Sequence, residues 1–305
     1  MISRDVPPVE MRTNAKLNLF LRVVGRRPDG YHELESIFHS VDLFDTVSLE
    51  RLDGPTIEVR MQMIPELPDA VPSAKDNIVT AVVNEVAVRT DETRTGLRVD
   101  IVKQIPLGSG LGGGSGNAAG ALSAVNELWA LGLDPETLAA IGARIGADVP
   151  FCLSGGTALV LGRGEELTAL PAPTAMDFVL GLSFEPLSTA GVYEAWDRLG
   201  DTGDASRTSA PMALALGSGA PDEVARLLHN DLEAAALSLR PRLADRKQAL
   251  FDAGALGAGM SGSGPTMFGL ARDREHARDV AVRVAGHFDR VVIVRSASKG
   301  VERVR

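Results

Sequence analysis

The chain has 305 residues, 45% hydrophobic and 23% charged, which is the make-up of a soluble globular protein long enough for two ordinary domains. Its formal net charge of −9 argues against nucleic acid or an acidic membrane as a main partner, since both need broad positive surface. No apolar run is long enough to span a bilayer, and the opening MISRDVPPVEM lacks the apolar core of a signal peptide.

Residues 15–24 (AKLNLFLRVV) are apolar and polar by turns, which predicts a strand carrying Lys16 and Asn18 on one face. Residues 25–30 (GRRPDG) are turn chemistry, and Tyr31-His32-Glu33 opens the next element. Further strands are predicted over 41–51 and 56–61, then a helix over 77–88 with residues 73–76 as its cap region. Leu97, Val99 and Ile101 alternate with Arg98 and Asp100, a half-buried strand that suits an antiparallel sheet with one covered face.

Directly after that strand, residues 106–121 read PLGSGLGGGSGNAAGA, a glycine-saturated loop running into a helix. A strand, a loop without bulky side chains and a helix N-terminus make an anion site. Free backbone N–H groups and the positive end of the helix dipole converge there, and missing side chains let a phosphate approach. A P-loop needs a lysine after its glycines, and none follows here. Gly108, Gly110 and Gly113 satisfy Gly-x-Gly-x-x-Gly, but the acidic residue that a dinucleotide site requires further on is lacking. Its candidate, Asp134, lies between Gly132 and Pro135 in a helix-to-helix turn.

A helix follows over 135–145, ending at Gly146-Ala147-Asp148-Val149-Pro150, and a strand over 157–161 closes on GRGEE. Cys152, the single cysteine, excludes an internal disulfide and fits a reducing cytoplasm. Between Phe151 and Leu153 it reads as a buried, inert thiol. Composition changes at 170–175 (LPAPTA), a linker between residues 1–170 and 171–305. Beyond it come a strand over 177–184, a helix from 191 to 198 and a stretch over 201–220 rich in small residues, expected to be a mobile insertion. A helix over 222–239 precedes a second glycine-dense loop, 257–264 (GAGMSGSG). The chain closes with a strand over 266–271, a helix over 275–285 and a strand over 291–294. Antiparallel-style strands with helices on one face predict an α+β architecture in both halves.

Three separated features coincide: an N-terminal strand with a lysine, a central Pro-x-x-x-Gly-Leu-Gly loop and a C-terminal Gly-Ser-Gly loop. Together with residues 15–45 (AKLNLFLRVVGRRPDGYHELESIFHSVDLFD), 146–167 (GADVPFCLSGGTALVLGRGEEL), 229–233 (HNDLE) and 259–270 (GMSGSGPTMFGL), they resemble the GHMP kinase superfamily. The resemblance covers nearly the whole chain except about 200–220. It is sharpest to the branch that phosphorylates cytidine-diphosphate-linked methylerythritol in isoprenoid precursor synthesis.

That resemblance implies a two-domain α+β fold. An N-terminal ribosomal-protein-S5-like ATP-binding domain would cover 1–170, and a C-terminal ferredoxin-like domain on the substrate side would cover 171–305. It implies transfer of the γ-phosphoryl group of ATP to the 2-hydroxyl of the acceptor, with Mg2+ as the ATP counter-ion. The sequence itself shows no carboxylate or histidine cluster that suggests a structural metal, its five histidines being scattered. Lys16 and Asp148 match the family's catalytic pair. A carboxylate can orient a hindered tertiary alcohol and take its proton, and a lysine can stabilise negative charge on the attacking oxygen. Read without the resemblance, Asp148 is a turn cap before Pro150 and Lys16 an exposed strand residue.

For ATP the resemblance implies Pro106, Leu107, Gly108, Ser109, Gly110, Leu111, Gly112, Gly113, Gly114, Ser115 and Gly116, with Lys103 and Asn77 near the adenosine. The family commonly has a second serine where this chain has Gly116, which leaves Ser115 as the hydroxyl candidate. Tyr31 and His32 match cytosine-binding positions, Tyr193 a second aromatic that would close a sandwich, and Thr189 and Asn18 substrate contacts. Alternatives are another GHMP small-molecule kinase, of the homoserine or mevalonate type, or a non-catalytic nucleotide-binding protein on the same fold. Neither gives a reason for the Tyr31-His32 pair together with both Lys16 and Asp148.

Overall fold

The computed structural model describes residues 7–64, 77–90, 96–172, 174–200 and 206–304. The predicted cap region 73–76 lies outside them, as do residues 201–205 of the predicted insertion and residue 173 of the predicted linker. The chain opens with a long antiparallel pair, β1 (Val9–Arg26) and β2 (His32–Arg51), and continues through β3 (Ile57–Met63), α1 (Ile78–Thr90) and β4 (Leu97–Lys103). Then come α2 (Gly113–Leu128), α3 (Pro135–Ile145), α4 (Val149–Ser154), β5 (Thr157–Gly162) and β6 (Glu166–Ala169). The second half runs β7 (Asp177–Leu182), α5 (Thr189–Leu199), α6 (Ala210–Ser218), α7 (Pro221–Leu227), β8 (His229–Asn230), α8 (Glu233–Leu239) and α9 (Arg242–Asp252). It closes with β9 (Gly257–Met260), β10 (Met267–Ala271), α10 (Arg274–Val284), β11 (Arg290–Arg295) and β12 (Val301–Arg303).

Among the described residues the strands form two sheets, one of eight strands and one of four in the order β11-β7-β10-β9. In the larger sheet β2 is paired along its whole length. One end joins β4 from Thr46 to Arg51, and the other joins β5 from Leu34 to His39. The C-terminal β12 returns to pair with β1 at Met11 to Thr13. Helices α1, α2 and α3 cover one face, burying Val82, Val83, Val86, Leu122 and Val125 against Val47, Leu49, Val99 and Ile101. The alternation foreseen in β4 is realised, with Leu97, Val99 and Ile101 buried and the residues between them half-buried.

A second core lies between the sheets, where Ala15, Leu17, Leu19, Ile37 and Val41 meet Phe178, Leu180, Phe268 and Leu270. The middle of β1 is thus covered on both faces, and residues 15–21 are all buried. Side chains alternate across a strand, so with Leu17 and Leu19 in this core, Lys16 and Asn18 face the other way. A third core packs α5, α8, α9 and α10 on the smaller sheet through Val192, Trp196, Leu243, Leu250 and Val280.

Three sequence expectations are corrected. Residues 222–239 do not form one helix: the chain is extended at β8, because the polar side chains of Asn230 and Asp231 bind distant backbone instead of letting the helix continue. Within the stretch expected to be mobile, 210–218 is a helix that buries Met212, Ala215 and Leu216 against the inter-sheet core. The first residues of the second glycine loop are strand β9, paired with β10. No described helix is long and apolar enough to cross a membrane.

His39 ties these layers together. Its Nδ1 lies 2.8 Å from Thr157 Oγ1 and its Nε2 2.7 Å from Ser296 Oγ, linking β2 to β5 and to the turn after β11. Burial pushes its imidazole from 6.5 down to about 4. Between those values the unfolded chain holds the extra proton and the native one does not, so this contribution to stability is complete above about 6.5 and lost as pH falls toward 4. The expected loss is roughly 3 kcal/mol. Urea midpoints at pH 7 and pH 4.5 should therefore fall less steeply in His39→Gln than in the native chain, and equal slopes would refute the assignment.

Candidate active site

Two glycine loops stack on one another. The first, residues 104–112, leads from β4 into α2 and needs positive φ at Gly110 (+78°) and Gly112 (+72°), where glycine alone is unstrained. The second, residues 261–264, packs so tightly on it that a Cβ at Gly110 would overlap the Ser261 carbonyl oxygen. Ser261 Oγ donates to the Gly110 carbonyl at 2.9 Å, and Thr266 N–H donates to that of Ser109 at 3.3 Å. Pro106, Ser109 and Leu111 are buried and anchor the loop, Leu107 is half-buried, and Gly108 is exposed beside Pro186.

Helix α2 begins at Gly113 behind the left-handed Gly112. Its first-turn N–H groups have no partner within the helix. Gly114 is exposed there, with no atom within 4 Å of where its Cβ would stand. That opening has the shape and polarity an anion needs. Ser115 is half-buried and its Oγ lies near Gly146, two residues before Asp148. Gly116 instead faces β1: a Cβ there would stand 3.4 Å from Thr13 Oγ1, so the serine missing at this position is replaced by close helix–strand packing. Gly120 repeats that contact one turn on.

Beside this opening Lys16 is buried, with its Nζ 3.5 Å from Asp148 Oδ2. The ammonium also donates to Asn18 Oδ1 at 2.7 Å and sits 4.6 Å from the centre of the Phe38 ring. Asn18 is held in turn, its Nδ2 donating to Ser36 Oγ at 3.0 Å. Asp148 stands at the N-cap position of α4 but makes no capping hydrogen bond. Its carboxylate is therefore free to face the lysine, and the turn-cap reading does not apply. Cys152, on the next turn, is buried, and desolvation with the Asp148 charge pushes its thiol pKa up, which keeps it inert.

Lys103 does not reach the loop's mouth. It is fully buried beneath Gly113, ion-paired with Asp45 and donating to Asn117 Oδ1 at 2.9 Å. The second Asp45 oxygen accepts the N–H groups of Gln104 and Ile105 at 2.8 and 2.9 Å, so this network braces the loop's entry against α2. Each member is satisfied, which a buried pair requires if it is not to cost stability. Asn77 caps α1, its Oδ1 accepting the Val79 N–H at 3.0 Å.

The aromatic positions lie at the open end of the β1–β2 pair. His32 stacks on Tyr193, with ring centres 4.7 Å apart and planes at 22°, and meets the edge of Trp196. Its Nε2 is 2.8 Å from Asp197 Oδ1. Burial, and secondarily the charge of Asp148, pushes the Tyr193 hydroxyl pKa up. Tyr31 is 59% exposed, and the Arg163 guanidinium lies 5.2 Å from the centre of its ring. Thr189 Oγ1 is 3.0 Å from Ser263 Oγ, tying the start of α5 to the second glycine loop. Sequence reasoning missed Asp45, Asn117, Ser261, Arg163, Trp196 and Asp197. Asp45, Asn117, Ser261 and Arg163 fell within runs that drew attention, and Trp196 and Asp197 within a predicted helix, but nothing local marks their partners.

An anion pocket of backbone amides, next to a carboxylate paired with a lysine, can hold a polyphosphate and orient a hydroxyl against it. Magnesium fits this donor set as an ion brought in by the nucleotide, since one carboxylate and the Ser115 hydroxyl suit a cation that keeps several waters and phosphate oxygens.

Residues 77–156 match the GHMP kinases N terminal domain, and residues 212–290 match the GHMP kinases C terminal domain. The chain is 44% identical over 282 residues to the 4-diphosphocytidyl-2-C-methyl-D-erythritol kinase of Gloeobacter violaceus, covering 91% of this chain and 90% of the relative. The kinase of the same name from Saccharopolyspora erythraea is 43% identical over 283 residues, covering 92% and 88%. A crystal structure of 4-(cytidine 5'-diphospho)-2C-methyl-D-erythritol kinase matches with a TM-score of 0.77 and 31% identity, over 94% of this chain and 99% of that one.

Proposed function

As this chain belongs to the 4-diphosphocytidyl-2-C-methyl-D-erythritol kinases, within the GHMP kinases, we propose that it transfers the γ-phosphoryl group of ATP to the 2-hydroxyl of 4-(cytidine 5'-diphospho)-2-C-methyl-D-erythritol, giving the 2-phosphate and ADP. The observation that carries the reading is the Lys16–Asp148 pair beside the glycine loop, two groups far apart in sequence placed 3.5 Å from each other. In this reading residues 1–170 supply the ATP loop and the catalytic pair, and residues 171–305 supply the substrate side.

The amides of Gly110 to Ser115 bind the phosphates and the α2 dipole offsets their charge. Asp148 orients the tertiary hydroxyl and takes its proton, and Lys16 stabilises negative charge on the attacking oxygen. Asn18 keeps the ammonium aimed between carboxylate and substrate. Magnesium, held by ATP with Ser115 and Asp148 nearby, would neutralise phosphate charge. An ATP-coupled assay comparing the cytidine substrate with mevalonate and homoserine tests the reaction, with phosphorus NMR of the product locating the new phosphate. Turnover of mevalonate or homoserine in preference would overturn it.

Tyr31 supplies a ring face for cytosine, and His32, held by Tyr193 and Asp197, supplies an edge. Tyr31→Ala is expected to weaken binding of the cytidine substrate by about 1–3 kcal/mol, the scale of a base–aromatic stack, with ATP affinity nearly unchanged. Tyr31→Phe should keep most of the affinity, because the stack needs the ring alone. Calorimetry with both ligands decides the matter, and equal losses for the two would reduce Tyr31 to a surface residue.

A further inference from the structure

The break at β8 places three polar residues where they join parts of the site that are distant in sequence. Asn230 and Asp231 are each only 8% exposed. Asn230 spends its whole amide: Nδ2 donates to the carbonyls of Met260 and Gly262, both at 2.8 Å, and Oδ1 accepts the Leu232 N–H at 2.9 Å. Asp231 grips β1, its N–H donating to the Leu21 carbonyl at 2.9 Å and its Oδ2 accepting the Val23 N–H at 2.8 Å. Its other oxygen takes the Nε2 proton of His229 at 2.6 Å, while His229 Nδ1 accepts from Arg207 at 3.0 Å.

The segment that Asn230 holds is the one that roofs the catalytic lysine. A Cβ at Gly262 would stand 3.4 Å from both Lys16 Nζ and Asn18 Oδ1, and 3.2 Å from the Gly110 carbonyl oxygen. Next to it, Ser261 Oγ accepts the Asn18 N–H at 3.4 Å and donates to Gly110. Moving the Gly262 carbonyl therefore moves the ceiling over Lys16, the residue that aims Lys16 and the phosphate loop together.

We propose that Asn230 is a positioning residue: by fixing the Met260 and Gly262 carbonyls against β1 it sets the alignment of Lys16 with the phosphate loop. The inference rests on the catalytic reading of Lys16 given above. Only a side chain with two amide hydrogens and an oxygen on one planar group can serve both carbonyls and the Leu232 N–H at once. A polar cavity of about 240 Å³, lined by Asn18, His229, Asn230, Glu233 and Lys247 among others, borders this clamp. A shortened side chain at 230 thus leaves room that water can fill in place of a dry void.

The test is a double-mutant cycle of Asn230→Ala with Lys16→Ala, read in kcat, KM for each substrate and thermal unfolding. Asn230→Ala alone is expected to lower kcat by about 10²-fold, the scale of a misplacement of about 1 Å, with KM for ATP changed less than about threefold. In the Lys16→Ala background the same change should cost less than about twofold, because the group being positioned is gone. Losses that multiply, or a loss confined to KM, would overturn the proposal. An unaltered kcat in Lys16→Ala alone would overturn the catalytic reading, and the positioning role with it. Asn230→Ser keeps an oxygen for Leu232 and carries the same cycle if the alanine variant does not fold.

Discussion

Asp148→Asn is expected to lower turnover by about 10²- to 10⁴-fold while leaving ATP affinity and the melting temperature nearly as they are. The substitution keeps shape and removes the proton acceptor. Because the Asp148 side chain makes no capping hydrogen bond to α4, the helix loses nothing by the change. What does change is the partner 3.5 Å from Lys16 Nζ, whose remaining acceptor is Asn18 Oδ1 at 2.7 Å. Lys16→Met should fall in the same range, and the double variant should be little worse than either alone if the two act as one unit. Single-turnover rates with saturating ATP, alongside ATP titration by calorimetry, separate chemistry from binding. A folded Asp148→Asn enzyme with turnover within about threefold of the native chain would remove Asp148 from the mechanism.

Gly110→Ala is expected to cost ATP affinity on the order of 100-fold or more, together with stability, although it adds a single methyl group. Gly110 stands at φ +78°, a conformation that costs other residues about 1–2 kcal/mol. The new methyl would also overlap the Ser261 carbonyl oxygen, which is backbone and cannot rotate away. One glycine loop must then slide on the other, spoiling the amide cradle and the roof over Lys16 at once. Gly114→Val is the informative companion. A Cβ there meets no atom within 4 Å, so unfolding should barely shift while ATP binding falls, because the side chain enters the space assigned to phosphate. Native ATP affinity in Gly114→Val would show that the phosphates lie elsewhere, and native affinity in Gly110→Ala that the loops are not tightly coupled.

Local rules carried a large part of this molecule. The alternation in β4, the helix α3 with Asp134 as its cap and Pro135 in its first turn, and the glycine loop feeding α2 each depend on residues within a few positions of one another. The order of the motifs was enough to reach the GHMP kinases. Tertiary structure decided what those rules cannot see. Lys103, expected near adenosine, is buried against Asp45, 58 positions earlier, because β2 and β4 are neighbours in the sheet. The helix expected over 222–239 yields at Asn230, whose amide satisfies carbonyls 30 and 32 residues further on. His32 meets Tyr193 and Asp197 only because α5 folds over the open end of the β1–β2 pair. Periodicity and capping are written in the chain's near neighbours. The partner of a buried polar group is chosen by which strands lie side by side, and that depends on how the whole apolar pattern is buried at once.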